Sequence, residues 1–395
     1  MVTLLWPTTP ERRTLWVASL LHVWNDAFFA LLYPLLPFIA ADLALSYTET
    51  GLLRTLFMGA SGVAQLPAGL LAGRLGEFAL LIAGNLWVAG GLVSMGAAPS
   101  YLWLLAASAL TGLGGGPQHP LASSLVSRVY DRAWRSTAIG TLNFAGDLGK
   151  LAGPALVGLL AVGYGWRFIL VVVGVAGVAA TALLGATRRS LRTQPVAPGE
   201  DAPEAVAAPA GGATPRGAFA WMALLGVLDA ATRGAALTFL PFVLAEKGLG
   251  EGAIATLFIL VFAGGAAGKL ACGWLGDRVG ALGLVWVTKG VVAALLVGFF
   301  PAPVPSLAVL VLVFGFGLNG TSSVLYAGVA RLVPVEQRAR GYAYYYTATE
   351  GGTAAAPALY GLVADFAGLA PAMAVMAAAT AAILPASLAL RRYLA

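Results

Sequence analysis

Gly273-Trp-Leu-Gly-Asp-Arg-Val-Gly280 closes a long apolar run, and 204 positions earlier Gly69-Leu-Leu-Ala-Gly-Arg-Leu-Gly76 closes another in the same frame. A glycine-framed, arginine-bearing loop that follows an apolar run twice at a fixed spacing points to an internal duplication. The repeat extends beyond the loop. Pro37-Phe38 returns as Pro241-Phe242 at the same offset, and Pro154-Ala-Leu-Val-Gly-Leu159 returns as Pro357-Ala-Leu-Tyr-Gly-Leu362 at 203. At 203, Asp26 falls on Asp229, Arg128 on Arg331 and Asp147 on Glu350, so four acids form two symmetric pairs.

The composition gives the solvent of this duplicated chain. Hydrophobic residues make up 59% and charged residues 10% of the 395 positions, and the mean hydropathy is +0.85. Such a chain holds many stretches of ~20 apolar residues, each long enough to cross ~30 Å of hydrocarbon. Spans are predicted near 14–40, 47–72, 78–98, 101–128, 136–163 and 165–187, then near 218–244, 250–275, 281–300, 304–331, 340–364 and 368–390. The expected fold is an all-α polytopic membrane protein of twelve transmembrane helices in two pseudo-symmetric six-helix bundles, residues 1–187 and 218–395. The stretch 188–217 opens with Arg188, Arg189 and Arg192 and continues through prolines, acids and glycines. That composition cannot bury a core and reads as a flexible linker.

Basic residues cluster between the apolar runs, as topology signals do, so the net charge of +6 does not point to nucleic acid. Sixteen arginines fall on the side of the termini, against Arg167 and Lys247 opposite. The positive-inside rule then expects both termini and the linker in the cytoplasm of a cell whose plasma (inner) membrane holds the chain. The first apolar segment is too long for a cleaved signal and is expected to be retained. The single Cys272 excludes an internal disulfide or a cysteine zinc site. Gly264-Gly-Ala-Ala-Gly-Lys269 lacks phosphate-loop spacing, so no nucleotide or other cofactor is expected and energy must come from an ion gradient. The expected partners are a small-molecule substrate, protons and the lipid bilayer, with the protein a monomer.

Over nearly its whole length the sequence resembles the major facilitator superfamily. Gly273-x-x-x-Asp277-Arg278-x-Gly280 matches the family's loop signature, which implies gating roles for Asp277, Arg278 and Arg74; in the first copy Gly73 stands where the family has Asp. Ser19-Leu-Leu-His22-Val-Trp-Asn25-Asp26, Gly112-Leu-Gly114 with His119-Pro120, and Gly146-Asp-Leu-Gly149-Lys-Leu-Ala-Gly153-Pro154 are similar to the fosmidomycin-resistance branch of drug exporters. Gly149-x-x-x-Gly153-Pro154 also resembles the antiporter element of helix 5. Asp147 and Lys150 depart from that branch by adding charge. The resemblance implies substrate binding near the bilayer midplane and transport by alternating access.

Ionisable side chains in the middle of a membrane helix cost at least a few kcal/mol, so each should face a cavity, a partner or the interface. His22 and Asp26 stand at i and i+4 on one face, either as a proton-carrying pair or with His22 as a simple hydrogen-bond partner of a neighbouring helix. A metal held with His119 would need a further ligand. Asn143, Asp147 and Lys150 form one polar stripe, in which the Asp147–Lys150 pair is either a fixed buried bridge or one that substrate or proton breaks. Asp229 and Arg233 repeat the i, i+4 pattern as an expected structural bridge. Tyr342, Tyr346, Glu350 and Thr353 share a face suited to packing or to an amphipathic substrate. Arg54 is an anion contact or an outer-gate partner of Asp42 or Glu49, and Lys289 has no evident role. The expected proton-coupling set is Asp26, His22, Asp147 and Glu350. The expected substrate contacts are Asn25, Tyr33, Arg54, His119, Asn143, Lys150, Asp229, Arg233, Asn319 and Tyr346, with no metal and no catalytic residue. The reading favours proton-coupled antiport exporting a small organic molecule, over proton-coupled uptake of an organic anion and, behind both, a non-transporting membrane sensor. No nucleophile–base constellation of an enzyme is present.

Overall fold

The computed structural model describes residues 8–161, 163–191, 193, 216–334 and 338–391; most of the linker expected at 188–217 lies outside the described residues. Fourteen α-helices follow one another among the described residues. They are α1 (Pro10–Ala30), α2 (Leu32–Asp42), α3 (Tyr47–Leu75), α4 (Glu77–Gly96), α5 (Tyr101–Gly115), α6 (Gln118–Val129), α7 (Arg132–Leu160) and α8 (Gly165–Ala186). After them come α9 (Arg216–Glu246), α10 (Glu251–Val279), α11 (Ala281–Gly298), α12 (Leu307–Leu332), α13 (Arg338–Ala367) and α14 (Leu369–Ser387). These correspond to the twelve expected spans, with the first and fourth each broken in two.

Both breaks follow from proline. Pro34 lacks an N–H for the Ala30 carbonyl and its ring crowds that carbonyl, so the helix interrupts at Leu31. The repeat places Thr238 at the matching position, where it donates its hydroxyl to the Gly234 carbonyl at 2.7 Å inside an unbroken α9. Pro37 and its counterpart Pro241 both sit within continuous helix and break nothing. In the fourth span Pro117 and Pro120 follow Gly115 and Gly116, and the chain turns between α5 and α6.

Among the described residues nine segments are long and apolar enough to cross a bilayer by themselves, among them Pro10–Asp42, Gly217–Glu246 and Leu369–Leu390. The exceptions have physical reasons: α5 and α6 are halves of a broken span, while α7 carries Asp147 and Lys150, and α13 carries Glu350. Val63, Leu66, Leu70, Leu159 and Leu183 are 72–77% exposed, an apolar surface that calls for hydrocarbon as its solvent.

By its internal contacts the chain divides into one unit of Met1–Leu32 with Leu56–Val206 and a second of Tyr33–Thr55 with Ala207–Ala395. Residues 33–55, which belong to the first half of the repeat, are thus grouped with the second unit. Within the first unit α1 packs on α7 and α4 on α8 and α5; within the second, α9 packs on α13 and α11 on α14 and α12.

The duplication is visible in the backbone itself. Gly76 and Gly280 share φ values of 82° and 83°, and Gly165 and Gly368 of 69° and 93°. Ala44, at φ 51°, occupies the place of Gly248 at 80°, the one described non-glycine in the left-handed region. Close helix crossings repeat as well. Gly149 of α7 lies against the Val23 carbonyl and Gly352 of α13 against the Val227 carbonyl, while Gly112 meets the Phe57 carbonyl and Gly315 the Val261 carbonyl. Each crossing brings two backbones together because the glycine has no side chain to hold them apart.

A Cβ at Gly315 would collide with the Val261 backbone, whereas one at Gly290, on α11, meets nothing within 4 Å. Gly315→Ala should lower stability by about 1–3 kcal/mol, read as a fall in the thermal midpoint of the purified protein. Gly290→Ala should leave that midpoint unchanged or raise it.

Candidate functional site

In the first unit the crossing of α1 and α7 builds the site. Gly146 lies directly against the His22 and Asp26 side chains, and Gly149 and Gly153 lie against the Val23 and Ala27 carbonyls. Side chains at these positions would push α7 away. Without them, Lys150 reaches α1: its Nζ is 3.0 Å from Asp147 Oδ1 and 3.4 Å from Asp26 Oδ2. The other Asp26 oxygen faces two imidazoles, His22 Nε2 at 3.7 Å and His119 Nε2 at 3.8 Å. The two rings meet edge to face with centroids 4.9 Å apart. His119 stands one turn after the α5–α6 break, which is how a fourth-span residue comes to lie beside the first.

Asp26 and His22 are buried, while the Lys150 side chain is 35% and the His119 side chain 49% exposed. One edge of the cluster is open and the other closed. His22 is the neighbour of Asp26 at i, i+4 on its own helix, and Lys150 joins it from α7, a helix whose register to α1 no i, i+4 argument supplies. The ligand atoms of His22, Asp26 and His119 lie within 4.8 Å of one another. The Lys150 ammonium lies on the opposite oxygen of the same Asp26 carboxylate. Asn25 is buried next to Asp26, and Asn143 is exposed one turn before Asp147.

In the second unit the repeat of Asp26 is Asp229, and its surroundings differ. Lys289 of α11, fully buried, places Nζ 2.5 Å from Asp229 Oδ1, and Arg233 places Nη1 3.6 Å from Oδ2. Lys289, without an evident role in the sequence, is thus the closer partner of Asp229. Glu350 on α13 is near enough to Arg233 for their charges to attract. The tyrosine face of α13 serves packing at one position at least: Tyr342 donates to the Tyr326 carbonyl at 2.9 Å, and the two rings stack. Thr353 donates to the Thr349 carbonyl, and Tyr346 is half-buried. Asn319 is half-buried against Gly265.

Arg54 is buried in the second unit with its guanidinium 4.1 Å over the Tyr33 ring, and Tyr33 stacks on Phe258. Glu49, one of its expected partners, exchanges hydrogen bonds with Ser46 in a capping box, Ser46 N–H to Glu49 Oε2 at 2.8 Å and Glu49 N–H to Ser46 Oγ at 3.2 Å. Of the loop-signature residues, Arg74 is exposed and Arg278 stacks over Trp274 at 3.7 Å. The side chain of Asp277 lies outside those described. One acid escaped the sequence reading. Glu77, four residues after the acid-less Gly73, is buried at the start of α4, accepts from Ser124 Oγ at 2.5 Å and pairs with Arg128 at 3.1 Å. Its spacing of one turn from the missing position was the available signal.

The chain matches the Major Facilitator Superfamily model over residues 15–228 and 222–393. The chain belongs to this superfamily. It is a multi-pass membrane protein. Multidrug resistance protein MdtG of Yersinia enterocolitica is 32% identical over 170 residues, 40% of this chain and 41% of that protein. The fosmidomycin resistance protein of Escherichia coli is 28% identical over 37% of this chain and 36% of its own length. The hexuronate transporter of Bacillus subtilis is 29% identical over 36% and 33%. The matched stretches thus span about two fifths or less of these curated relatives. The fold is similar throughout to a bacterial homolog of the human lysosomal transporter Spinster, with a TM-score of 0.74 and 17% identity over 98% of this chain and 97% of that one.

Removing one partner of a buried ion pair typically costs about 3–5 kcal/mol, while replacing both by apolar groups can be neutral. Asp229→Ala should therefore sharply lower the yield of folded protein, and adding Lys289→Met should restore most of it. The check is detergent-solubilised monodisperse yield and thermal midpoint across the double-mutant cycle.

Proposed function

We propose that this transporter is a proton-driven antiporter exporting a small organic molecule, with the Asp26–Lys150–Asp147 cluster as its proton carrier. The observation that carries the proposal is a charge count. Two carboxylates share one ammonium, so the acids and the lysine taken by themselves leave one negative charge uncompensated in a largely buried place, with two imidazoles beside Asp26. One proton removes it. Proton on Asp147 leaves Lys150 paired with Asp26, and proton on Asp26 leaves it paired with Asp147. In the second unit two acids, Asp229 and Glu350, are matched by two cations, Lys289 and Arg233, so no proton is needed there.

A proton entering from outside neutralises the cluster, which lowers the cost of occluding it and favours the return of the empty carrier. Substrate entering from the cytoplasm meets the open edge at His119 and Lys150, with Asn143 one turn away, and favours proton release. Asn25 lines the closed edge; Tyr33, Arg54, Arg233, Asn319 and Tyr346 are assigned to the second unit's part of substrate recognition, and Arg74, Asp277 and Arg278 to gating. The stretches shared with MdtG and the fosmidomycin resistance protein support export. The arginine asymmetry supports cytoplasmic termini and a cytoplasmic 188–217 linker between halves 1–187 and 218–395.

Uptake of an organic anion is the second reading. It is favoured by the partly exposed Lys150 ammonium, a ready carboxylate contact once Asp147 holds a proton, and by the stretches shared with the hexuronate transporter.

A thermal-shift screen of drugs, organic acids and sugars identifies a substrate. In proteoliposomes, Asp26→Asn and Asp147→Asn should each reduce pH-gradient-driven transport of it by about tenfold or more, while exchange of labelled for unlabelled substrate continues. Uphill transport at the normal rate by either variant would remove the cluster from the coupling role. For topology, in a Cys272→Ser background an impermeant reagent added outside cells should label a cysteine at Gly248 and not one at Ala207; the reverse pattern inverts the orientation.

A further inference from the structure

The turn after α2 and the first turns of α3 are held within the second unit by an unusual cap. Ser46 and Glu49 satisfy each other's N–H groups. The next two helical donors are taken by a carboxylate 317–318 residues away: Tyr47 N–H donates to Asp365 Oδ1 at 2.8 Å and Thr48 N–H to Asp365 Oδ2 at 2.9 Å. Asp365 stands in the last turn of α13. It places a negative charge on the positive end of the α3 dipole and satisfies two donors that the helix itself leaves free.

The contact continues along both helices. Gly361 lies against the Tyr47 carbonyl, Gly51 lies against the Pro357 carbonyl, and the Ala358 N–H donates to Thr55 Oγ1 at 3.2 Å. Tyr47 Oη reaches Glu246 of α9 at 3.4 Å. Two glycines thus permit backbone-to-backbone contact over about two turns, and one carboxylate closes its end. Residues 33–55 come from the first half of the repeat and are grouped with the second unit, within which these contacts lie.

We propose that Asp365 is a latch that holds the 33–55 segment on α13 in this conformation and lets go when the transporter opens on that side. The proposal rests on the alternating-access reading. A carboxylate is well matched to a releasable contact, because two charge-assisted hydrogen bonds to backbone donors are strong when aligned and are lost together when α3 slides by a residue.

The test uses two single-cysteine probes in a Cys272→Ser background, one at buried Leu36 in α2 and one at exposed Thr141 in α7. Labelling rates with an impermeant reagent are read in right-side-out and inside-out vesicles. Asp365→Ala should raise labelling at Leu36 by about tenfold or more and lower it at Thr141, the loss of two charge-assisted hydrogen bonds being worth at least that factor. Gly51→Val, which crowds the Pro357 carbonyl, should give the same opposed pair of changes without touching the carboxylate. Glu246→Gln should change little. General loosening would raise both rates, and a merely decorative contact would move neither; either result overturns the latch. An imposed pH gradient on the otherwise unmutated probes tests alternation separately, since it should move the two rates in opposite directions whether or not Asp365 is the latch. A reversed topology only exchanges the vesicle type in which each probe reacts.

Discussion

Lys150, shared between Asp26 and Asp147, is the interaction on which the functional account depends. An ion moved from water into a protein interior carries a penalty of several kcal/mol, and the sum of charges in a buried cluster decides whether it can be occluded as it stands. One ammonium against two carboxylates leaves a single charge over, and the imidazoles of His22 and His119 lie beside the other Asp26 oxygen. The repeat of Asp26 in the second unit is locked instead by Lys289 from behind and Arg233 from one turn along. Duplication supplied the same aspartate twice, and its neighbours diverged: Lys150 and two imidazoles surround one copy, Lys289 and Arg233 the other.

Geometry follows from backbone proximity. Lys150 can reach Asp26 only because α7 presents Gly146, Gly149 and Gly153 to α1, and the same logic repeats where Gly352 meets Val227. In hydrocarbon there is no hydrophobic force to press helices together, so contact area and short interhelical approach must hold them. The glycines that set the helix spacing therefore also set the distances in the charge cluster. His119 depends on a different device, the break at Gly116–Pro117 that frees α6 from the line of α5.

The helices, the duplication and the family were legible in the sequence because each is a matter of local pattern: apolar length, a fixed offset, a loop signature. The breaks at Pro34 and Pro117 were not read there, and only the structure separates Pro34, which breaks its helix, from Pro37, which does not. Site residues on one helix were readable at i, i+4, as with His22 and Asp26. What was not readable was pairing across helices. Lys289 is 60 positions from Asp229, and Asp365 is more than 300 from Tyr47; no periodicity links them, since each distance is set by the crossing of two helices. Tyr342 shows the converse, a residue on a suggestive polar face whose hydroxyl is spent on a neighbouring carbonyl.

The most direct measurement is the number of protons the purified protein takes up as pH is lowered, followed by the infrared carboxylic-acid band and by dye-monitored proton binding. The shared-lysine account predicts one carboxyl proton in the wild type that disappears in Asp26→Asn and equally in Asp147→Asn, because either change leaves one acid matched to Lys150. The same uptake should persist in Asp229→Asn with Lys289→Met. Retention of the band in Asp147→Asn, with its loss confined to Asp26→Asn, would show that Asp26 carries the proton alone and would contradict the shared cluster.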